Sequence, residues 1–319
     1  MKNDFLKRNL QLLSTIVAAL ILFVVFSIIA NNFSTVNNTL NIALQSSIIA
    51  IVAIGQTFVI AGGGIDLSVG PVVAIGSVVT AILLNSGFPI WSAVVIGLFC
   101  CIICGLINGL IITYWKIAPF IATLGTQLIF RGIVYVITNG VPVSGLPSEF
   151  SLFGLGKLFD VIPYPVIAML VITIIFTLIM TKSKFGRLIF AIGSNEKTAF
   201  LSGVNVSVNK ILMYVLCSFL SGLGGIILTS RLVSAQPTTG TGYEANAIAA
   251  AVIGGASLAG GTGSIIGAVV GALIMGILQN GLNLIGLSYF LQQIAIGSVI
   301  ILAVMVDKLR NRFSKNNSY

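Results

Sequence analysis

The chain has 319 residues, of which 57 % are hydrophobic and only 7 % charged, whereas an ordinary soluble domain is about a quarter charged. That composition excludes a water-soluble protein, and the absence of histidine removes the commonest metal ligand and acid–base group. The formal net charge of +9 would suit nucleic acid only if it formed a patch, and its distribution follows another pattern.

Charge-free runs cover Asn9 to Ile65, Leu67 to Trp115, Val161 to Thr181, Ile211 to Ser230 and Ala245 to Val306. Each is long enough for at least one membrane span of about 20 residues. In chain order the runs divide into predicted spans near 10–30, 40–61, 70–85, 91–114, 118–138, 163–181, 210–230, 245–260, 264–281 and 288–306. The first follows Lys7 and Arg8 but is longer than the apolar core of a cleaved signal peptide, so it reads as a retained helix. Most of the basic residues fall in three clusters. These are the N-terminal tail (Lys2, Lys7, Arg8), the loop 182–210 (Lys182, Lys184, Arg187, Lys197, Lys210) and the C-terminal tail (Lys308, Arg310, Arg312, Lys315). Basic clusters beside apolar spans mark the cytoplasmic side. About ten crossings put all three inside and place 31–38, 85–89, 139–162 and 234–242 outside. The expected fold is an all-α polytopic membrane protein with both termini cytoplasmic, a single transmembrane domain over 1–319. The lipid bilayer is its expected environment, and nucleic acid is not an expected partner.

Two of these spans are short or broken. The first break is AGGGIDLSVGP at 61–71, with Asp66 as a lone carboxylate in an apolar tract. Gly62, Gly63 and Gly64 supply backbone freedom, Gly70 completes the motif, and Ser68 is placed to cap the following helix, with Pro71 in its first turn. Asp66 faces the same helix N-terminus, whose partial positive charge lowers the cost of keeping it ionised. The motif therefore reads as a hinge or kink held by Asp66. The second break is GGASLAGGTG at 254–263, which shares paired glycines followed by leucine and a small residue. Irregular backbone within a membrane is tolerated where it is buried in protein or lines a cavity, so paired breaks point to a substrate path.

Other features have plainer readings. Glycines spaced three or four apart in SGLGGIILTS (221–230) and GAVVGALIMG (267–276) favour close helix packing. Cys100, Cys101 and Cys104 have no carboxylate or histidine nearby and read as soft packing residues, and with Cys217 they carry no disulfide signature. No metal site is expected. Asp4, Asp307, Glu149 and Asp160 read as solvated charges of the tails and outer loops. Arg131 snorkels, pairs with an outer carboxylate or touches substrate, and Glu244 is placed to cap the helix that follows it. No phosphate-binding lysine loop is present, so the chain is not expected to hydrolyse ATP. In the loop 182–210, NEKTAFLSGV predicts a short helix with Asn195 as cap and Gly203 as stop. Either a second subunit pushes on that helix or the loop is a plain basic connector.

Four segments together carry a family likeness: GIDLSVG (64–70), PFIATLGTQLIFRGIVYVITNGVPV (119–143), FGRLIFAIGSNEKTAFLSGVN (185–205) and the long block from Ser234 to Gly286. In this order they resemble the ribose-type permeases, the membrane subunits of bacterial monosaccharide importers driven by ATP-binding cassette (ABC) proteins. The likeness covers nearly the whole chain. It implies the ten-helix ABC importer permease fold in the bacterial cell membrane, a second permease copy, a separate ATPase subunit that uses the ATP, and an extracytoplasmic sugar-binding protein. No cofactor is expected on this chain, and the implied cargo is a monosaccharide, ribose first. By the same likeness NEKTAFLSGV becomes the coupling helix, with Gly193, Asn195, Glu196 and Gly203 as the docking residues. The family often has Glu-Ala-Ala here, where this chain has Glu196, Lys197 and Thr198.

A path for a neutral sugar needs hydroxyl and amide groups on otherwise apolar spans. Gln56, Ser68, Asn108, Thr126, Gln127 and Asn280 are the candidates, each of which could equally be an interhelical hydrogen bond. Two rival functions are an ion-coupled carrier, for which only one convincing buried acid is present, and a membrane receptor or scaffold without transport.

Overall fold

The computed structural model describes residues 2–316, with side chains described for 12–305 and for Lys308. The side chains of Lys2, Asp4, Lys7 and Arg8, and of Asp307, Arg310, Arg312 and Lys315, on which the expected sidedness of the two tails rests, lie outside the described residues.

The elements run α1 (Lys2–Ile29), α2 (Val36–Ala61), α3 (Val69–Asn85), α4 (Ile90–Tyr114), α5 (Pro119–Thr138), β1 (Val143–Ser144), α6 (Ser148–Leu155), β2 (Lys157–Leu158), β3 (Ile162–Pro163), α7 (Tyr164–Lys182), α8 (Lys184–Ser194), α9 (Glu196–Leu201), α10 (Val206–Leu232), β4 (Ser234–Ala235), α11 (Tyr243–Ile253), α12 (Ile265–Leu284) and α13 (Tyr289–Asn316). Among the described residues, 7 helices are long and apolar enough to cross a membrane: α1, α2, α4, α5, α7, α10 and α12. The apolar helices at Val69–Asn85, Tyr243–Ile253 and Tyr289–Met305 are shorter. The chain is thus a helical, polytopic membrane protein.

Helices α2, α10 and α12 are largely buried, while α1, α5 and α7 turn most of their apolar surface outward. Helix α10 is the hub, packed against α2, α3, α4 and α6. Its small residues allow this. A Cβ on Gly225 would overlap the Val73 carbonyl of α3, and one on Gly222 would meet Cys101 of α4. In the second half, Gly267 and Gly271 of α12 likewise meet the backbone of Gly254 and Ala250 at α11. The glycine pairs read from the sequence as packing devices therefore do pack helices.

Short strands and polar side chains gather the loops at one end. β1 pairs antiparallel with β4 (Val143↔Ala235), Asn85 Nδ2 donates to the Ser144 carbonyl at 2.9 Å, and Ser230 Oγ donates to the Phe150 carbonyl. At this end Asn38 and Asn280 exchange two amide hydrogen bonds, at 2.9 and 3.0 Å. The basic loop 182–210 lies at the opposite end, where α7 finishes and α10 begins.

Three expectations are corrected. The span expected at 245–260 is not one crossing helix: α11 has 11 residues, about 16 Å at the α-helical rise and about half the hydrocarbon thickness of a bilayer. The loop 234–242 does not stay at the outer surface. Ala235 is held there by β1, but Gly240 descends to touch Gly70 at the start of α3. Of the three glycines expected to supply backbone freedom, only Gly63 has a left-handed φ, +82°. Gly62 and Gly64 are small because Met213 Sδ and the Tyr214 hydroxyl occupy the space a Cβ would take.

Candidate functional site

After Ala61 the chain turns at Gly63 and runs back alongside α2 as a non-helical segment, 64–68, before starting α3. Its polar groups are met at each step. With its amide oriented to satisfy both atoms, Gln56 of α2 donates to the Asp66 carbonyl at 3.3 Å and accepts the Asp66 N–H at 3.1 Å. Thr123 of α5 donates to the Ile65 carbonyl at 3.2 Å. An unpaired backbone group buried in apolar surroundings costs on the order of 1–3 kcal/mol, so these bonds permit a break at this depth.

Asp66 Oδ1 accepts both the backbone N–H of Ser68, at 2.8 Å, and its hydroxyl, at 2.7 Å. This corrects the expected capping arrangement. Ser68 occupies the N-cap position of α3 but makes no side-chain cap bond, because its hydroxyl is turned to the carboxylate. The Ser68 hydroxyl in turn accepts Asn108 Nδ2 of α4 at 2.8 Å, and Asn108 Oδ1 accepts the Thr126 hydroxyl of α5 at 2.7 Å. Asp66, Ser68 and Asn108 are fully buried and Thr126 nearly so. One continuous chain of side-chain hydrogen bonds therefore ties the break to two further helices. Asp66 Oδ2 and the Tyr214 hydroxyl are buried in the same region without a hydrogen-bond partner among the described residues.

The second half-helix starts at the same level. A Cβ on Gly70 would meet Glu244 Oε2 and the Gly240 carbonyl, and one on Gly240 would meet the Gly70 carbonyl. The first turns of α3 and α11 thus meet. Gln127 Nε2 of α5 donates to Glu244 Oε1 at 3.4 Å. Arg131, one turn further along α5, makes no ion pair with an outer carboxylate among the described residues. Its Nη1 donates to the carbonyls of Pro237 at 2.6 Å and Thr239 at 2.9 Å, fixing the descending loop. Of the candidate path residues, Gln56, Ser68, Asn108 and Thr126 come together at the first break, Gln127 joins Glu244, and Asn280 is apart, on Asn38 at the far end.

At the basic end, α9 is built as its residues dictate. Asn195 Oδ1 accepts the Thr198 N–H at 2.9 Å as N-cap. Gly203 closes the helix at φ +81°, with the Val204 N–H returning to the Ala199 carbonyl at 3.1 Å. Ala199 is buried on Ile192 and Val206, which anchors the helix. Glu196 Oε2 pairs with Lys210 Nζ of α10 at 2.6 Å. Phe200 and Leu201 point outward, 68 % and 75 % exposed. The sequence reading missed them, although two large apolar residues in a six-residue helix with Glu196 and Lys197 were a signal.

Gly193, grouped by the family likeness with the docking residues, is turned into the protein. A Cβ there would overlap the Ala61 carbonyl and press on the Gly261 amide, and a Cβ on Gly260 would meet the Gly193 carbonyl. The Gly261 N–H donates to the Ala61 carbonyl at 2.8 Å. The end of α8 therefore seats, through Gly193, in a joint made by the C-terminus of α2 and the second break, two residues before the cap of α9.

Residues 38–306 match the model of a permease family described as "Branched-chain amino acid transport system / permease component". The chain belongs to this permease family. The permease is 45 % identical over 304 residues to the ribose import permease protein RbsC of Bacillus subtilis, covering 95 % of this chain and 94 % of that one. It is 44 % identical over 307 residues to RbsC of Escherichia coli K12, covering 95 % of each. The D-allose transport system permease protein AlsC of Escherichia coli K12 is 38 % identical over 294 residues, 92 % of this permease and 90 % of that protein. No solved structure matches it.

Proposed function

We propose that this permease is the membrane subunit of an importer that carries a monosaccharide, ribose first, by alternating access driven by a separate ATPase. The observation that carries the reading is identity of 38 to 45 % over nearly the full length to permeases named for ribose and D-allose import. Those names favour a sugar over the amino acids in the family's description, and they disfavour the ion-coupled carrier and the scaffold.

The basic loop end faces the cytoplasm, both termini lie there, and the ten apolar helices form the transmembrane domain, single over 1–319. Two copies stand side by side with the path between them, a binding protein delivers sugar from outside, and the ATPase docks beneath. Helix α9 is the coupling helix: Phe200 and Leu201 enter a groove on the ATPase, while Asn195 and Gly203 fix the helix that presents them. When the ATPase closes on ATP, movement of α9 reaches Gly193 and through it the ends of α2 and the second break. These are the segments that change as the path switches sides. Asp66 and its hydrogen-bond chain hold α3, α4 and α5 as one block during that movement. The chain binds no cofactor of its own.

The test is uptake of radiolabelled ribose into vesicles containing the permease, its ATPase and its binding protein. Accumulation that needs ATP and all three proteins supports the reading. Accumulation driven by a proton gradient without ATP would contradict it.

A further inference from the structure

The two carboxylates in the interior of the bundle differ. Asp66 is fully buried, and its Oδ1 is engaged by Ser68. Glu244 is only half-buried. Its Oε1 has one long bond, from Gln127 at 3.4 Å, and its Oε2 has no partner among the described residues. The neighbouring Asn246 Oδ1 is also unpartnered. Gln127 stands eight residues into α5, about 12 Å along its axis, which places the group near the middle of the bundle. Arg131, on the same side of α5, spends Nη1 on the Pro237 and Thr239 carbonyls, leaving the other donors of its guanidinium fork.

A carboxylate oxygen left unpaired in an apolar interior is costly unless something intermittently satisfies it. We propose that Glu244 is a sugar-contacting residue, whose carboxylate accepts hydroxyl groups of the monosaccharide midway through the permease, with Gln127 beside it as an adaptable donor and acceptor. The inference rests on the monosaccharide importer reading above. A neutral polyol suits this group because it brings O–H donors without adding charge. O–H···O⁻ bonds are strong enough to select a hydroxyl pattern, and a single carboxylate does not trap the cargo. Gly70 and Gly240 make the site possible, since a Cβ on Gly70 would occupy the position of Oε2. The oxygen is covered in this arrangement and becomes accessible as the two helix starts part.

The rival role is structural: Glu244 lies in the first turn of α11, where a carboxylate is favoured in any case. The test separates them by selectivity. Vesicles containing the full importer are supplied with binding protein saturated by ribose or by a deoxyribose lacking one hydroxyl, and the two uptake rates are compared in the unaltered permease and in Glu244→Gln. The expected result is that for one deoxy analogue the preference for ribose falls about tenfold in Glu244→Gln. A purely structural role would lower both rates together and leave the ratio unchanged, which overturns the proposal. Should Glu244→Gln fail to assemble, Gln127→Ala in the same measurement is expected to lower the ratio in the same direction, and an unchanged ratio there overturns the proposal equally. Absence of ribose uptake by the unaltered permease would instead count against the importer reading itself.

Discussion

Gly193 of α8 lies against the carbonyl oxygen of Ala61, the last residue of α2, with no room between them for a Cβ. The same oxygen accepts the Gly261 N–H of the second break. Three chain segments far apart in sequence therefore meet at one backbone atom, immediately before the short helix that faces the ATPase in the proposed assembly.

Replacing Gly193 by valine should force these segments apart. Overpacking at a close backbone contact typically costs about 1–3 kcal/mol, and in the proposed mechanism the displaced parts are the moving ones. Gly193→Val is expected to leave ATP hydrolysis by the assembled complex measurable while cutting uptake per ATP several-fold. Uptake per ATP equal to that of the unaltered protein would show that the joint transmits nothing.

The Asp66 clasp makes a graded prediction. Only Oδ1 is used, by two donors from Ser68, and an asparagine carbonyl accepts both. Asp66→Asn should keep most transport, whereas Asp66→Ala should orphan the Ser68 amide and lower stability by about 1–3 kcal/mol, read as thermal aggregation in detergent. Transport lost in Asp66→Asn without loss of stability would mean that the charge itself is used.

Asn108 bridges Ser68 and Thr126. Asn108→Leu leaves both hydroxyls buried without that partner, while Thr126→Val removes only the last link. Double-mutant cycles put an interhelical hydrogen bond in a membrane at about 0.6 kcal/mol on average, so Thr126→Val should be mild and Asn108→Leu clearly worse in thermal stability. Equal effects would argue against a continuous chain.

On α9, surface and scaffold separate. Phe200→Asp and Leu201→Asp alter exposed groups, so the permease should fold normally yet fail to retain the ATPase in a pull-down. Gly203→Lys adds the cost of a left-handed residue, roughly 1–2 kcal/mol, and should weaken both binding and the helix. Glu196→Ala should change stability little, because exposed ion pairs are worth about 0–1 kcal/mol. Normal ATPase retention by the Phe200 and Leu201 variants would remove α9 from the docking surface.

Much of this is legible in the sequence. Apolar run lengths locate the seven helices long enough to cross a membrane and the shorter α3 and α13, but not α6, which lies in a stretch read as an outer loop; the capping chemistry of Asn195 and Gly203 marks α9, because those signals are local. What was not legible is non-local. Nothing near Gly193 in sequence says that its missing side chain makes room for Ala61 and Gly261, nor that Gly70 yields space to Glu244. The reach of SAQPTTGTG into the bundle was likewise hidden, since its polar residues read as surface until Arg131 is seen holding the carbonyls of Pro237 and Thr239. Ser68 was misjudged because cap rules weigh a hydroxyl against the helix alone, and here the adjacent carboxylate and Asn108 compete for it.

The most direct test of the account is the uptake stoichiometry of the reconstituted importer. Ribose accumulation and ATP hydrolysis are measured together in vesicles with permease, ATPase and loaded binding protein, for the unaltered chain and for Phe200→Asp with Leu201→Asp. The account predicts ATP-dependent accumulation by the unaltered chain and its loss in the double variant, with the permease still in the membrane. Undiminished ribose accumulation in the double variant, or accumulation without ATP, would contradict it.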